Sequence, residues 1–287
     1  MIRKTWLAGC SSAMLLLVGC SAPLPQRSGG RYGGVFNLNE TEQFRSIFPL
    51  SLRQANAWRV MGQCYQGLVR INPQDLEVGP ALAESWEMSD EARTWTFRLR
   101  TDVRFHDDPA FTGGHGRALV ADDVVGCFRR LCSPGYDNKS FWLLKDAVQG
   151  AEAYHAAASA GQADPTLLGV EAVDAHTVRF RLTHPQPHFP TLLAHPSCWI
   201  YPEELLTTYG DRLQRRAIGT GPFRLRSNDP GQPLVMERWN GYWEHDASGD
   251  QLPYLDAVRV TFEENKRAEF EAFLSGSLTM VDEMPSD

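Results

Sequence analysis

Residues 79–108 read GPALAESWEMSDEARTWTFRLRTDVRFHDD, and the middle of that stretch decides the fold class. From Thr94 to Arg100 the pattern alternates strictly. Trp95, Phe97 and Leu99 point one way, while Thr94, Thr96, Arg98 and Arg100 point the other. A period of two marks a strand with one buried face. Upstream, Ser85 to Met88 is a second candidate strand, joined to the first through the short polar link Glu91-Ala92. The two read as a hairpin or as adjacent sheet edges. Val103 and Phe105 carry the rhythm on before His106-Asp107-Asp108 leaves the sheet. By themselves these residues specify an antiparallel structural unit.

Toward the N-terminus, Gly33-Gly34-Val35-Phe36-Asn37-Leu38 reads as a first strand, entered from glycine and left through Asn39-Glu40. Between Ser51 and Val69, the residues Trp58, Met61, Cys64, Tyr65 and Leu68 recur at three- and four-residue spacings. That predicts an amphipathic helix with its C-cap at Gly67. Ile71 to Leu76, with Asn72-Pro73, is a turn. Toward the C-terminus, Asp122 and Asp123 suit the first turn of a helix with Val124, Val125, Phe128 and Leu131 buried, stopped by Pro134-Gly135. Lys139 to Ala160 predicts a second helical region. From Val170 the period returns to two. Val170 to Val173 and Thr177 to Thr183 make a hairpin expected to pair with the Trp95–Leu99 region or its neighbours. Phe189 to Leu193 and a segment from Pro202 to near Gly210 are short helices. Phe223 to Arg226, Leu234 to Glu237 and Leu255 to Phe262 are strands, and Arg267 to Leu274 is a helix.

The 287 residues are 43% hydrophobic and 22% charged, which describes an ordinary globular chain long enough for a sizeable core. The net charge is −7 and no basic run exceeds two residues, so the positive stripe that nucleic acid requires is missing. Arg3 and Lys4 precede an apolar stretch, Trp6 to Val18, too short and interrupted to span a membrane. It ends in Leu17-Val18-Gly19-Cys20, which looks like a bacterial lipobox, with residues 1–19 as leader and Cys20 as the acylated residue. The plainer alternative is a standard signal peptide with a chance cysteine. Residues 20–34, rich in proline and glycine, read as a flexible tether.

Cys64, Cys127, Cys132 and Cys198 remain for an oxidising compartment. They form no CxxC pair and no zinc-like spacing with histidine, and their three possible pairings are not distinguished by the sequence. Cys127 and Cys132 fall on poorly matched faces of one helix. Eight histidines lie scattered, so no metal site and no cofactor is expected. Catalytic pairs also fail. Asp122 and Asp123 diverge by about 100° on a helix, His106 and Asp107 point to opposite faces of an extended segment, and no GxSxG elbow occurs. Gly219-Thr220-Gly221-Pro222-Phe223 lacks the GK[ST] of a phosphate loop and leads into a strand. His176 sits in a turn and reads as a loop residue.

Three runs of the opening stretch, Ala81-Leu82-Ala83-Glu84-Ser85-Trp86, Thr96-Phe97-Arg98-Leu99-Arg100 and Val103-Arg104-Phe105-His106-Asp107, match in order the signature of the extracytoplasmic solute-binding proteins of peptide- and nickel-type ABC importers. Tyr65-Gln66-Gly67-Leu68-Val69 resembles that family's YEGL segment, with Gln66 in place of the usual Glu, and the GTGPF run at 219–223 is shared. The resemblance covers residues 30–285. It implies an α/β, periplasmic-binding-protein-like fold of class II type: a mixed-sheet first domain interrupted by a smaller inserted α+β domain. Residues 35–59 and 184–287 belong to the first lobe and residues 60–183 to the insert. The family's second large lobe is absent from the sequence, so this stretch alone is expected neither to bind peptide tightly nor to reach normal stability.

The implied function is that of a lipid-anchored receptor, in the periplasm or on the cell surface, binding di- or oligopeptides and delivering them to an ABC permease without chemistry. Asn37, Leu38, Asn39, Glu40 and Tyr65 are the candidate ligand-binding residues. The alternatives are a lipoprotein that keeps the receptor fold in a structural or signalling role, and a secreted hydrolase.

Overall fold

The computed structural model describes residues 31–135, 137–162 and 165–282. The leader, Cys20 and most of the tether lie outside the described residues. The chain opens with β1 (Val35–Glu40), which runs parallel to β10 (Ala257–Phe262). Beyond β10 stand β9 (Leu234–Arg238) and β8 (Phe223–Ser227), both antiparallel, so the first sheet has the order β1-β10-β9-β8. It joins one strand from the start of the described chain to three from beyond residue 222. After α6 (Lys266–Leu274) the chain returns to β1, where Thr279 N–H donates to the Asn37 carbonyl at 2.7 Å.

The second sheet, of order β4-β5-β7-β6, comes wholly from the intervening segment. Its strands are β4 (Ala83–Ser89), β5 (Thr94–Leu99), β6 (Val170–Asp174) and β7 (Thr177–Arg181). The alternation quoted above is realised on β5, where Trp95, Phe97 and Leu99 are buried. Phe180 of the later hairpin stands directly opposite Trp95, and Val178 opposite Phe97. The helix α2 (Ala121–Cys132) lays Val124, Val125, Phe128 and Leu131 on this sheet. Its first-turn Asp123 accepts from the backbone N–H of Val120 at 2.9 Å and pairs with Arg117 at 2.6 Å. An aromatic cluster joins the layers, with Phe180 4.9 Å from Phe128, 5.6 Å from Phe97 and 5.3 Å from Phe189.

Two helices are shorter than the spacing predicts. The first, α1 (Ala55–Met61), stops at Gly62, and the stripe residues Cys64, Tyr65 and Leu68 are buried through a turn. The carbonyls of Gln63 and Cys64, which a longer helix would engage, instead accept from Phe223 and Gly221 at 3.0 and 2.9 Å. Gly67 is therefore no helix cap. In the second region only α3 (Ala151–Ser159) is α-helical. Val148 pairs with Leu182, and Gln149 N–H donates to the Arg181 carbonyl at 2.9 Å, which breaks the run before Gly150. The segment expected to be only a turn carries a two-stranded ribbon, β2 (Val69–Ile71) with β3 (Val78–Pro80). Two short helices complete the described chain, α4 (Phe189–Leu193) and α5 (Glu203–Tyr209).

Candidate functional site

The five candidate ligand residues fall in two places. Asn39 and Glu40, at the end of β1, are buried and committed to internal partners. Asn39 Oδ1 accepts from Glu263 N–H at 2.9 Å and its amide donates to the Glu263 carbonyl at 2.9 Å. Glu40 accepts from Asn56 at 2.7 Å and from Arg59 at 2.8 Å, so it anchors α1 from behind. Arg59 also reaches Asp282 at 2.8 Å, and these two carboxylates raise its already high pKa. Asn37 holds Thr279 through its backbone. Leu38 lines a notch of about 310 Å³ with Phe36, Val60 and Met280.

Tyr65 lines a different and larger cavity, of about 530 Å³, its ring stacked on Trp199 with centroids 5.8 Å apart. The two cavities share Gln63, Phe223 and Leu255 as walls. Four polar side chains of the larger one, Gln66, Arg70, Tyr242 and Glu244, already satisfy each other, while the Tyr65 hydroxyl is buried with no hydrogen-bond partner among the described residues. Gln66 Oε1 accepts from Thr220 and from the Trp243 indole, both at 3.1 Å, and Gln66 Nε2 donates to the Tyr242 hydroxyl at 3.1 Å. Tyr242 in turn donates to Glu244 at 2.7 Å, and Arg70 forks onto the same carboxylate. Burial opposes charge on Glu244, but the Arg70 and Tyr242 hydrogen bonds outweigh it and hold the carboxyl below its usual range. A closed network of this kind rigidifies a wall and leaves few hydrogen bonds to offer a ligand.

Open backbone hydrogen-bonding capacity lies elsewhere. Leu52 has φ −65° and ψ 131°, Gln54 φ −99° and ψ 132°, so the chain entering α1 is extended. Among the described residues, nothing pairs with the N–H of Arg53 or Gln54 or with the carbonyls of Leu52 and Arg53. This short edge borders a groove of about 340 Å³ whose walls include Ser51, Arg53, Gln54, Asp137, Lys139 and Gln214. Ser51 Oγ is buried in the same wall without a partner among the described residues. Unpaired extended backbone beside a groove is a template for an added strand. Glu40 and Asn56 connect this edge to β1, so part of the site is held in place by residues singled out in the sequence. Leu52–Gln54 itself was missed, because free backbone leaves no signature in side-chain type.

The dyad of sequence neighbours His106-Asp107 comes apart in the structure. His106 is fully buried, its Nε2–H donates to the Gly221 carbonyl at 2.9 Å, and its Nδ1 accepts from Gly219 N–H at 3.3 Å. Asp107 accepts from Gly116 N–H instead, at 2.9 Å. The four cysteines Cys64, Cys127, Cys132 and Cys198 are buried and unbridged. Burial pushes the thiols up, that of Cys132 to about 12, and so away from the reactive thiolate. Among the described residues no group of three or more His, Cys, Asp or Glu is placed to hold a metal.

Comparison with known proteins places this arrangement. The model of the bacterial extracellular solute-binding proteins, family 5 (middle section), matches residues 77–287. The chain belongs to this family. Among family 5 relatives, the peptide transport periplasmic protein SapA of Salmonella typhimurium is 34% identical over 190 residues, 63% of this chain and 32% of that protein. The di/tripeptide-binding protein 2 of Pseudomonas aeruginosa is 31% identical over 210 residues, 71% of this chain and 37% of its own. In fold, the chain is similar to the periplasmic oligopeptide-binding protein OppAIV of Borrelia burgdorferi, with a TM-score of 0.73 at 24% identity. That match covers 85% of this chain and 46% of the other. DppA of Helicobacter pylori, solved with the peptide STSA, gives 0.71 at 23% identity, over 86% and 46% of the two chains. The family 5 chain described here thus has the periplasmic-binding-protein-like α/β fold, and spans about a third to a half of the length of the relatives it matches.

Proposed function

We propose that this chain forms one wall of an extracytoplasmic peptide receptor that serves an ABC permease. The observation that carries the reading is the extended backbone at Leu52–Gln54 along an open groove, where the N–H groups of Arg53 and Gln54 and the carbonyls of Leu52 and Arg53 have no partner among the described residues. A peptide laid there adds a short strand, bound through its own N–H and carbonyl groups and so tolerant of side-chain identity. The peptide-transport and di/tripeptide-binding relatives support that ligand class. The end of β1, Asn37 to Glu40, sets the angle of α1 and hence of this edge, while Tyr65 stiffens the neighbouring wall. Residues 60–183 act as an inserted unit within the first lobe. Cys20 carries the lipid that holds the receptor at a membrane facing the periplasm or the cell exterior.

An N-methyl scan of tetra-alanine tests the binding mode. Each analogue lacks one N–H, and the full chain is titrated with all of them. Strand addition uses alternate residues of the ligand, so loss of affinity falls on alternate positions, about three- to tenfold at each. Equal affinity for every analogue and the parent would contradict it.

A further inference from the structure

We infer that the groove beside Leu52–Gln54 selects acidic ligands, namely peptides carrying a glutamate or aspartate side chain. The inference rests on the receptor reading above and adds the substrate class to it. The chain as a whole is acidic, at −7. The groove inverts that balance: Arg45, Arg53 and Lys139 wall it against one carboxylate, Asp137. That carboxylate is itself engaged by Arg130 at 3.0 Å. Arg45 and Arg53 are exposed and have no ion pair or hydrogen bond among the described residues.

The neighbouring segment reinforces the field. Ile47 N–H donates to the Gln214 carbonyl at 3.0 Å, which brings residues 212–216 beside Arg45. Arg212, Arg215 and Arg216 are exposed on that segment. The guanidinium groups of Arg212 and Arg216 each lie 5.5 Å from the centre of the Tyr209 ring, whose hydroxyl donates to the Asp108 carboxylate at 2.6 Å. The larger cavity provides the contrast: its one lining cation, Arg70, is neutralised by Glu244. A groove with low-dielectric walls and one sign of charge concentrates ligands of the other sign. Selection therefore adds to the sequence-tolerant backbone pairing and comes from side chains facing the cations.

The test titrates the full chain with Ala-Glu-Ala-Ala, Ala-Gln-Ala-Ala and Ala-Lys-Ala-Ala, following backbone amide signals by NMR up to millimolar peptide. The glutamate peptide binds about two- to fivefold more tightly than the glutamine peptide, and the lysine peptide more weakly than both. Raising the salt narrows the gap. The double variant Arg45→Gln/Arg53→Gln brings the glutamate peptide down to the affinity of the glutamine peptide, with its thermal melt showing that the fold is kept. Equal affinity for all three peptides overturns the acidic preference and leaves the receptor reading standing. Saturable binding of none of them overturns the receptor reading and this inference with it.

Discussion

At the scale of single residues, the GTGPF loop is held by a neutral histidine and by the absence of two side chains. A Cβ on Gly219 would lie 2.1 Å from the Cys64 carbonyl oxygen, and one on Gly221 would lie 2.5 Å from that of Gln63. Only glycine allows this approach, so the loop can pair with the turn after α1. His106 completes the clamp from the other side. Its pKa is lowered to about 4, first by burial and then by the nearby Arg224, against the opposing pull of its hydrogen bond to Gly221. The folded state therefore resists a proton that the unfolded chain accepts near 6.5. Stability from this group is complete above pH 6.5 and is lost as pH falls toward 4, by about 3 kcal/mol in all. Urea unfolding at pH 7 and pH 5 checks this: the wild type loses stability over that interval, and His106→Gln, less stable at pH 7, shows a flatter dependence. Parallel slopes would contradict the assignment. The glycines were legible as a motif, but the reason for them was not, since it lies in a carbonyl more than 150 residues away.

At the scale of elements, the sequence was most informative where burial alternates. The strict pattern on β5 set its face, because slipping a strand by one residue would expose the whole apolar set, and it left the later hairpin to pair with β5 or a neighbour, of which the structure realises β5 with β7. Helical spacing was less reliable. Cys64, Tyr65 and Leu68 fit a helical stripe, yet tertiary hydrogen bonds to Gly221 and Phe223 end α1 at Met61. The ribbon of β2 and β3 was hidden because each strand has only three residues. Phe180 best measures how tightly the second sheet is tied to its surroundings, since its buried ring contacts β5, α2 and α4. Phe180→Ala should cost about 3–5 kcal/mol, the usual range for a fully buried ring. Denaturant titration reads this directly, and a loss below about 1 kcal/mol would mean that the cluster repacks around the gap.

At the scale of the whole molecule, the family signature made the fold legible long before the site. The apolar face of residues 79–108 (Trp95, Phe97, Leu99, Val103 and Phe105) and the GTGPF loop are buried scaffold, and they identify the architecture because so many contacts depend on them. The site is the reverse case. Leu52–Gln54 matters for the backbone groups it leaves unbonded, and Arg45 and Arg53 for the lack of a carboxylate partner among the described residues. Both are properties of the assembled surface. A single groove wall gives a ligand limited burial, so affinity on this chain is expected to be weak while its location stays sharply defined. Hydrogen–deuterium exchange with and without saturating tetra-alanine tests the location most directly. The expected result is that one of the two adjacent amides, Arg53 or Gln54, slows on peptide addition, ahead of any around Tyr65 or the 530 Å³ cavity, because neighbouring N–H groups of an extended segment point to opposite edges. Bound peptide that leaves those two amides exchanging at their free rate would show that the strand-addition site is elsewhere.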